Sequence, residues 1–318
     1  MVMKRRVVHC GCLLLMIILA LGTACSGGEG RLVNLTPGQR MDNCCPAWSP
    51  DGNQIVFLSG GIETSASGTT SSASATDFGV YVMDADGANR FRVAKMSSEY
   101  VSGVSWSPTG EIVFSTFQGG IVVMDLDGEY RYVIADADPP SAFMGLSQTP
   151  SYSPDGTKIL LGKFLQDSAG SDGYAYRQIL LVDADGTNLT KLSRDGANSD
   201  DPAWSPDGTR IAFSSDRDGL AEIYVMDADG SNVVRLTDDG YHDYCPVWSP
   251  DDERIAFTSD RDGKIEVYVM NSDGGNLVRL THNSISELSL SWSPDGTELA
   301  IGGQNSSGNN SIYLLKMT

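Results

Sequence analysis

The densest run of chemically able side chains in this 318-residue chain is His242-Asp243-Tyr244-Cys245. An imidazole, a carboxylate and a thiol in four positions could hold a metal or move a proton. A zinc site needs three or four converging ligands. The run offers at most His242, Asp243 and Cys245; the competing reading is a structural or solvent-exposed loop. Beyond His9 near the N-terminus, the only other histidine is His282. A second set is acidic. Asp42, Asp200, Asp201, Asp243 and Glu287 each stand three to six positions before a recurring tryptophan. Gathered round one opening, they would form a negative ring for a cation or a basic peptide. Dispersed, they are solvated loop carboxylates.

The six cysteines are Cys10, Cys12, Cys25, Cys44, Cys45 and Cys245. Cys45-Pro-Ala-Trp48 and Cys245-Pro-Val-Trp248 place two of them at equivalent positions. An oxidising compartment would permit a disulfide among Cys44, Cys45 and Cys245, provided two Cα atoms approach within about 7 Å. Buried free thiols are the other reading. Gly103-Val-Ser-Trp-Ser107 lacks the last glycine of a hydrolase nucleophile elbow. With neither a catalytic constellation nor a cofactor motif, the sequence reads as a non-enzyme with no cofactor.

The elements that must position these residues follow from an internal repeat. Trp48-Ser-Pro-Asp-Gly52 recurs at Trp106, Tyr152, Trp204, Trp248 and Trp292, with spacings of 58, 46, 52, 44 and 44 residues. That is the size of a four-stranded propeller blade. Within each unit the aromatic anchor ends a first strand, and Ser-Pro-Asp-Gly makes a hairpin turn. Asp252 replaces the turn glycine once. Strands such as Arg210–Ser214 and Glu222–Met226 follow, then an Asp-x-Asp-Gly turn, then a strand ending in Leu-Thr. The Asp-x-Asp-Gly turns resemble fragments of calcium loops but lack the remaining ligands of an EF-hand; turn chemistry accounts for them.

The last unit stops at a third strand, Ser311 to Thr318, and Arg31 to Thr36 reads as a fourth strand without its first three. The expectation is therefore an all-β, six-bladed propeller over residues 31–318, closed by an N-terminal strand that completes the last blade. Ser59 to Asp77 and Gln166 to Tyr174 read as surface loops.

Residues 1–24 have the make-up of a signal peptide: Lys4-Arg5-Arg6, an apolar run from Val7 to Leu21, and small residues before Cys25. Leu21-Gly-Thr-Ala-Cys25 resembles a bacterial lipoprotein signal, with Cys25 as the lipidated residue and 25–30 as a tether. Gly22 stands where such signals favour leucine, so cleavage without lipidation stays open. The five residues between Cys25 and Arg31 would span at most about 18 Å, holding the domain close to a membrane. Cleavage removes Lys4, Arg5 and Arg6 and no acid, taking the net charge from −19 to −22. That disfavours nucleic acid as a partner.

The repeated Pro-x-Trp-Ser-Pro-Asp-Gly, Ile-Ala-Phe-Ser, Ile-Tyr-Val-Met-Asp and Arg-Leu-Thr segments resemble the propeller repeats of the TolB family. The resemblance spans residues 31–318 and implies a TolB-type propeller with a binding role. TolB is periplasmic and carries an α/β domain before its propeller, for which this sequence shows no room between Cys25 and Arg31. The resemblance therefore implies no membership of the Tol–Pal system. The expected function is a cell-envelope binding scaffold, anchored by lipid, that takes a protein or peptide partner at a propeller face or channel mouth. The alternative is a polysaccharide-acting or metal-dependent enzyme, or a sugar-binding protein, at the same mouth.

Overall fold

A computed structural model describes residues 31–37, 41–61, 78–96, 103–115, 120–134, 150–166, 175–193 and 196–317. The signal segment, Cys25 and the tether lie outside the described residues, as do residues 62–77 of the first predicted loop and 167–174 of the second.

The strands form six four-stranded antiparallel sheets, each sequential from the inside outwards except the last. After β1 (Leu32–Asn34), blade 1 is β2 (Met41–Trp48), β3 (Gln54–Gly61), β4 (Gly79–Asp84) and β5 (Phe91–Lys95). Blade 2 is β6 (Val104–Trp106), β7 (Ile112–Ser115), β8 (Ile121–Met124) and β9 (Tyr130–Ile134). Blade 3 is β10 (Ser151–Tyr152), β11 (Lys158–Gln166), β12 (Ala175–Asp183) and β13 (Thr190–Lys191). Blade 4 is β14 (Ser199–Trp204), β15 (Arg210–Ser215), β16 (Glu222–Asp227) and β17 (Val234–Arg235). Blade 5 is β18 (Asp243–Trp248), β19 (Arg254–Ser259), β20 (Glu266–Asn271) and β21 (Val278–Arg279). Blade 6 is β22 (Ser286–Trp292), β23 (Glu298–Gln304) and β24 (Asn310–Lys316), and its outer strand is β1. The first strands β2, β6, β10, β14, β18 and β22 each contact their neighbours in turn, which closes the ring.

The Ser-Pro-Asp-Gly turn is held by its own side chains. Ser49 Oγ donates to Asp51 Oδ1 at 2.6 Å, and the amide of Gln54 donates to Ser49 Oγ at 2.9 Å. Gly52 takes φ 72°, and Asp252 takes φ 62° at the equivalent place. The Asp-x-Asp-Gly turns use their acids in the same way: the Ala88 amide donates to Asp86 Oδ1 at 2.9 Å. Both turn types lie on one face of the propeller, because strands alternate in direction. The loops joining second to third strands, and each blade to the next, lie on the other.

Closure follows the predicted pattern. Val33 pairs with Leu314, and the Ile312 amide donates to Thr36 Oγ1 at 3.0 Å. Thr237 does the same for Ile223 at 3.0 Å and Thr281 for Val267 at 2.8 Å. The Leu-Thr ending is thus a recurring cap on a buried strand amide. Each blade is filled by residues such as Phe57, Phe213 and Phe257, all fully buried. Tyr81, Tyr224 and Tyr268 stack on these rings at 5.7–6.0 Å.

Candidate binding site at the channel mouth

Three first strands carry a bulge just before their tryptophan. The register skips between Cys44 and Ala47, between Asp200 and Ala203, and between Tyr244 and Val247. The first bulged residue takes a left-handed backbone: Cys45 at φ 55°, Asp201 at 51° and Cys245 at 52°. Proline follows each time. It has no amide hydrogen to give the ladder, so a bulge accommodates it. In β22 the skip falls one residue earlier, at Leu288, and no proline follows. Residues at or beside these bulges in blades 4 to 6 line a common cavity.

This cavity holds about 260 Å³ and is lined by side chains from blades 3 to 6. Its polar wall is Arg177, Asp200, Asp201, Cys245, Thr258 and Glu287; its apolar wall is Tyr244, Ile265 and Leu288. Arg177 lies on the long β12 and donates to Asp200 Oδ2 at 2.9 Å. Asp201 accepts from Ser214 Oγ at 3.1 Å and from the Cys245 amide at 3.4 Å. Burial pushes the Asp201 carboxyl up, against the pull of Ser214 and Arg177. Cys245 Sγ donates to the Leu288 carbonyl at 3.2 Å, and burial, with Asp201 adding to it, pushes its thiol well up.

Glu287 is also strongly perturbed. It is fully buried, accepts from Asn283 Nδ2 at 2.7 Å through Oε1, and has no partner at Oε2. Burial, reinforced by the nearby Glu266 carboxylate, raises it to about 7. Glu266 is itself buried, with its own Oε2 unpartnered.

The structure thus brings Asp200, Asp201 and Glu287 to one cavity. Asp243 goes elsewhere: its side chain points between blades 4 and 5, where Arg261 Nη2 lies 3.0 and 3.1 Å from its two oxygens. Asp243 forms an acid cluster with Glu222 and Asp239. Guanidinium groups fill it, Arg235 at 2.6 Å from Glu222 and Arg261 at 2.8 Å from Asp239. His242 stacks on Tyr244, ring centres 5.7 Å apart, and its Nδ1 lies 3.1 Å from the Tyr244 hydroxyl. His242, Asp243 and Cys245 therefore do not converge as ligands. Asp42 sits in β2 opposite Gly60, with its side chain outside the described residues. Cys44, Cys45 and Cys245 are not joined in a disulfide. Arg177 and the apolar rim escaped the sequence reading. The available signal was alignment of third strands, which puts Arg177 where blade 5 has Ile265, just before the buried Gln178 or Glu266.

Comparison with known proteins bears on the fold and the family. Residues 62–244 and 217–318 match the model of the TolB beta propeller domain. The chain belongs to this TolB propeller family. The TolB structure from Agrobacterium tumefaciens superposes with TM-score 0.62 at 21% identity, over 90% of this chain and 97% of that one. A gluconolactonase of Xanthomonas campestris superposes with TM-score 0.65 at 16% identity, over 91% and 90%. The uncharacterized peptidase YuxL of Bacillus subtilis (strain 168) is 36% identical over 189 residues, 58% of this chain and 23% of that protein. The chain thus spans under a quarter of that relative.

These matches correct the expectation of a non-enzyme. A protein named as a peptidase is 36% identical over part of this chain, and one named as a lactonase shares its fold. The expectation rested on missing contiguous motifs. A propeller assembles its mouth from several blades, so side chains far apart in sequence meet there and no local motif announces them.

Proposed function

We propose that this propeller is a recognition module of the cell envelope. Its channel mouth would bind a protein or peptide segment that presents a basic group. The observation that carries the reading is the acidic lining of the cavity: among the described residues Asp200 and Asp201 face one guanidinium, Arg177, with Glu287 adding charge as pH rises past about 7, beside an apolar rim of Tyr244 and Leu288. Tyr244 and Leu288 are exposed, and the formal charge of −19 would speed encounter with a cation. Location in the envelope rests on the signal segment and on lipidation of Cys25. The test is fluorescence anisotropy with labelled basic peptides. Wild-type protein binds with an affinity that falls as salt rises, and Asp201→Asn weakens it at least fivefold. Equal binding of basic and acidic peptides would overturn the reading. Intact mass of the membrane-extracted protein reports the lipid.

A second reading is favoured by one residue. A carboxyl raised to about 7 at a cavity wall suits a general acid or base. With Arg177 across the cavity to hold an anionic group, the mouth would act on an acidic saccharide. Turnover of a polyuronate or sugar lactone, lost in Glu287→Gln, would establish this activity.

A further inference from the structure

The second cavity lies on the opposite face, among the tight turns where blades 3 and 4 meet, and holds about 450 Å³. Its floor includes the indole of Trp204. The repeat makes this site legible. Four of the five tryptophans are buried at equivalent places: Trp48 and Trp106 at 8% exposure, Trp248 at 6% and Trp292 at 7%. Trp204 alone is only partly buried.

Two of these four rings carry an arginine from the preceding blade. Arg210 of blade 4 lays its guanidinium over Trp248 of blade 5, 4.4 Å from the ring centre. Arg254 of blade 5 lies over Trp292 of blade 6 at 5.3 Å. The residue at the same repeat position in blade 3 is Lys158. Its ammonium turns away to Asp183 Oδ1 at 2.7 Å, within its own blade. The Trp204 ring is left without the cation that covers Trp248 and Trp292; Glu298 and Gln54 hold that repeat position before Trp48 and Trp106.

The walls suit a cation too. Asp155, Asp207 and Asp229 line the cavity, and Lys158, already paired, is the sole basic residue there among the described residues. Hydrogen bonds from Ser153, Ser205 and Ser231 hold these three carboxyls below their ordinary range, so they are ionised at neutral pH. Leu181 and Pro154 supply the apolar sides against which a three-carbon stem could lie.

We propose that this cavity is a binding site for a guanidinium group supplied from outside the chain, stacked on Trp204 and paired with the surrounding carboxylates. The fold already makes this contact twice with its own arginines, so ring, spacing and charge suit that group. The planar guanidinium is preferred over an ammonium, because it stacks on an indole and forks to two carboxylate oxygens.

Titration calorimetry on the full chain tests this with argininamide, lysinamide and the blocked peptide acetyl-Gly-Arg-Gly-amide. Argininamide gives saturable binding at least fivefold tighter than lysinamide. Comparable binding of the peptide assigns the site to an arginine side chain of a polypeptide; binding of argininamide alone assigns it to a small molecule. Lys158→Arg rebuilds the internal contact of blades 4 and 5, so it folds with an unchanged melting temperature and binds argininamide at least tenfold more weakly. Asp229→Asn, on an exposed turn, also weakens binding and serves should Lys158→Arg misfold. Absence of saturable argininamide binding, or undiminished binding by both variants, overturns the proposal.

Discussion

Arg261 Nη2 lies within 3.1 Å of both carboxylate oxygens of Asp243, and that carboxylate is fully buried. The same guanidinium lies over the rings of Phe257 and Tyr268, at 5.5 and 4.6 Å. Blade 6 places Glu287 where blade 5 has Asp243, but Asn305 where blade 5 has Arg261. One acid is neutralised from within and its counterpart is not. The contrast leaves the buried Glu287 carboxyl raised where Asp243 is held by a guanidinium.

Removing the guanidinium should strand a buried charge. Arg261→Met is expected to destabilise the propeller by about 3–5 kcal/mol. Adding Asp243→Asn should restore a large part of that loss. Urea unfolding of the three proteins checks it.

Glu287 should make stability fall as pH rises. Its folded value, about 7, lies above the ordinary 4.5, so the native state holds a proton that the unfolded state releases. Its contribution is complete below about pH 4.5 and is lost progressively up to about 7. At 1.36 kcal/mol per pH unit the loss is of order 3 kcal/mol. Glu287→Gln, which stays neutral, should flatten the melting temperature over that range relative to wild type.

The thiols of Cys45 and Cys245 should be sluggish. A hydrogen bond with Cys44, then burial, pushes Cys45 well up; burial, then Asp201, does so for Cys245. Little thiolate forms at pH 8. Site-resolved alkylation read by mass spectrometry should run at least tenfold slower in native than in urea-unfolded protein.

Thr36→Val should leave the buried Ile312 amide without its acceptor, at a cost of about 1–3 kcal/mol. Deleting residues 31–37 removes the outer strand of blade 6 and should lower the melting temperature far more. Scanning calorimetry distinguishes the two.

The fold was legible because each blade repeats its own turn chemistry. Ser49, Asp51 and Gly52 carry the same bonds as Ser205, Asp207 and Gly208, so a short pattern marks every hairpin. Strand closure was legible because Leu35-Thr36 matches Leu236-Thr237. The candidate site was legible only in part. Asp200, Asp201 and Glu287 do meet, but Asp243 looked identical in sequence and turned the other way. Its fate depends on Arg261, eighteen residues on and one strand away. The bulges at Cys45, Asp201 and Cys245 were also hidden, since a left-handed backbone at cysteine has no compositional sign. Arg177 was missed because it reaches the mouth from a third strand, outside the segment before the tryptophan anchors.

Pairing of Val33 with Leu314 also governs the order of assembly. Every other blade is a local meander that can form as soon as its own residues exist. Blade 6 must join segments 276 residues apart in sequence, the slowest kind of encounter. Until it does, β24 offers an open outer edge, and a chain leaving the ribosome holds β1 idle until β24 is made. Completion of the circle is therefore a late event, and an interrupted synthesis leaves an arc with a free edge.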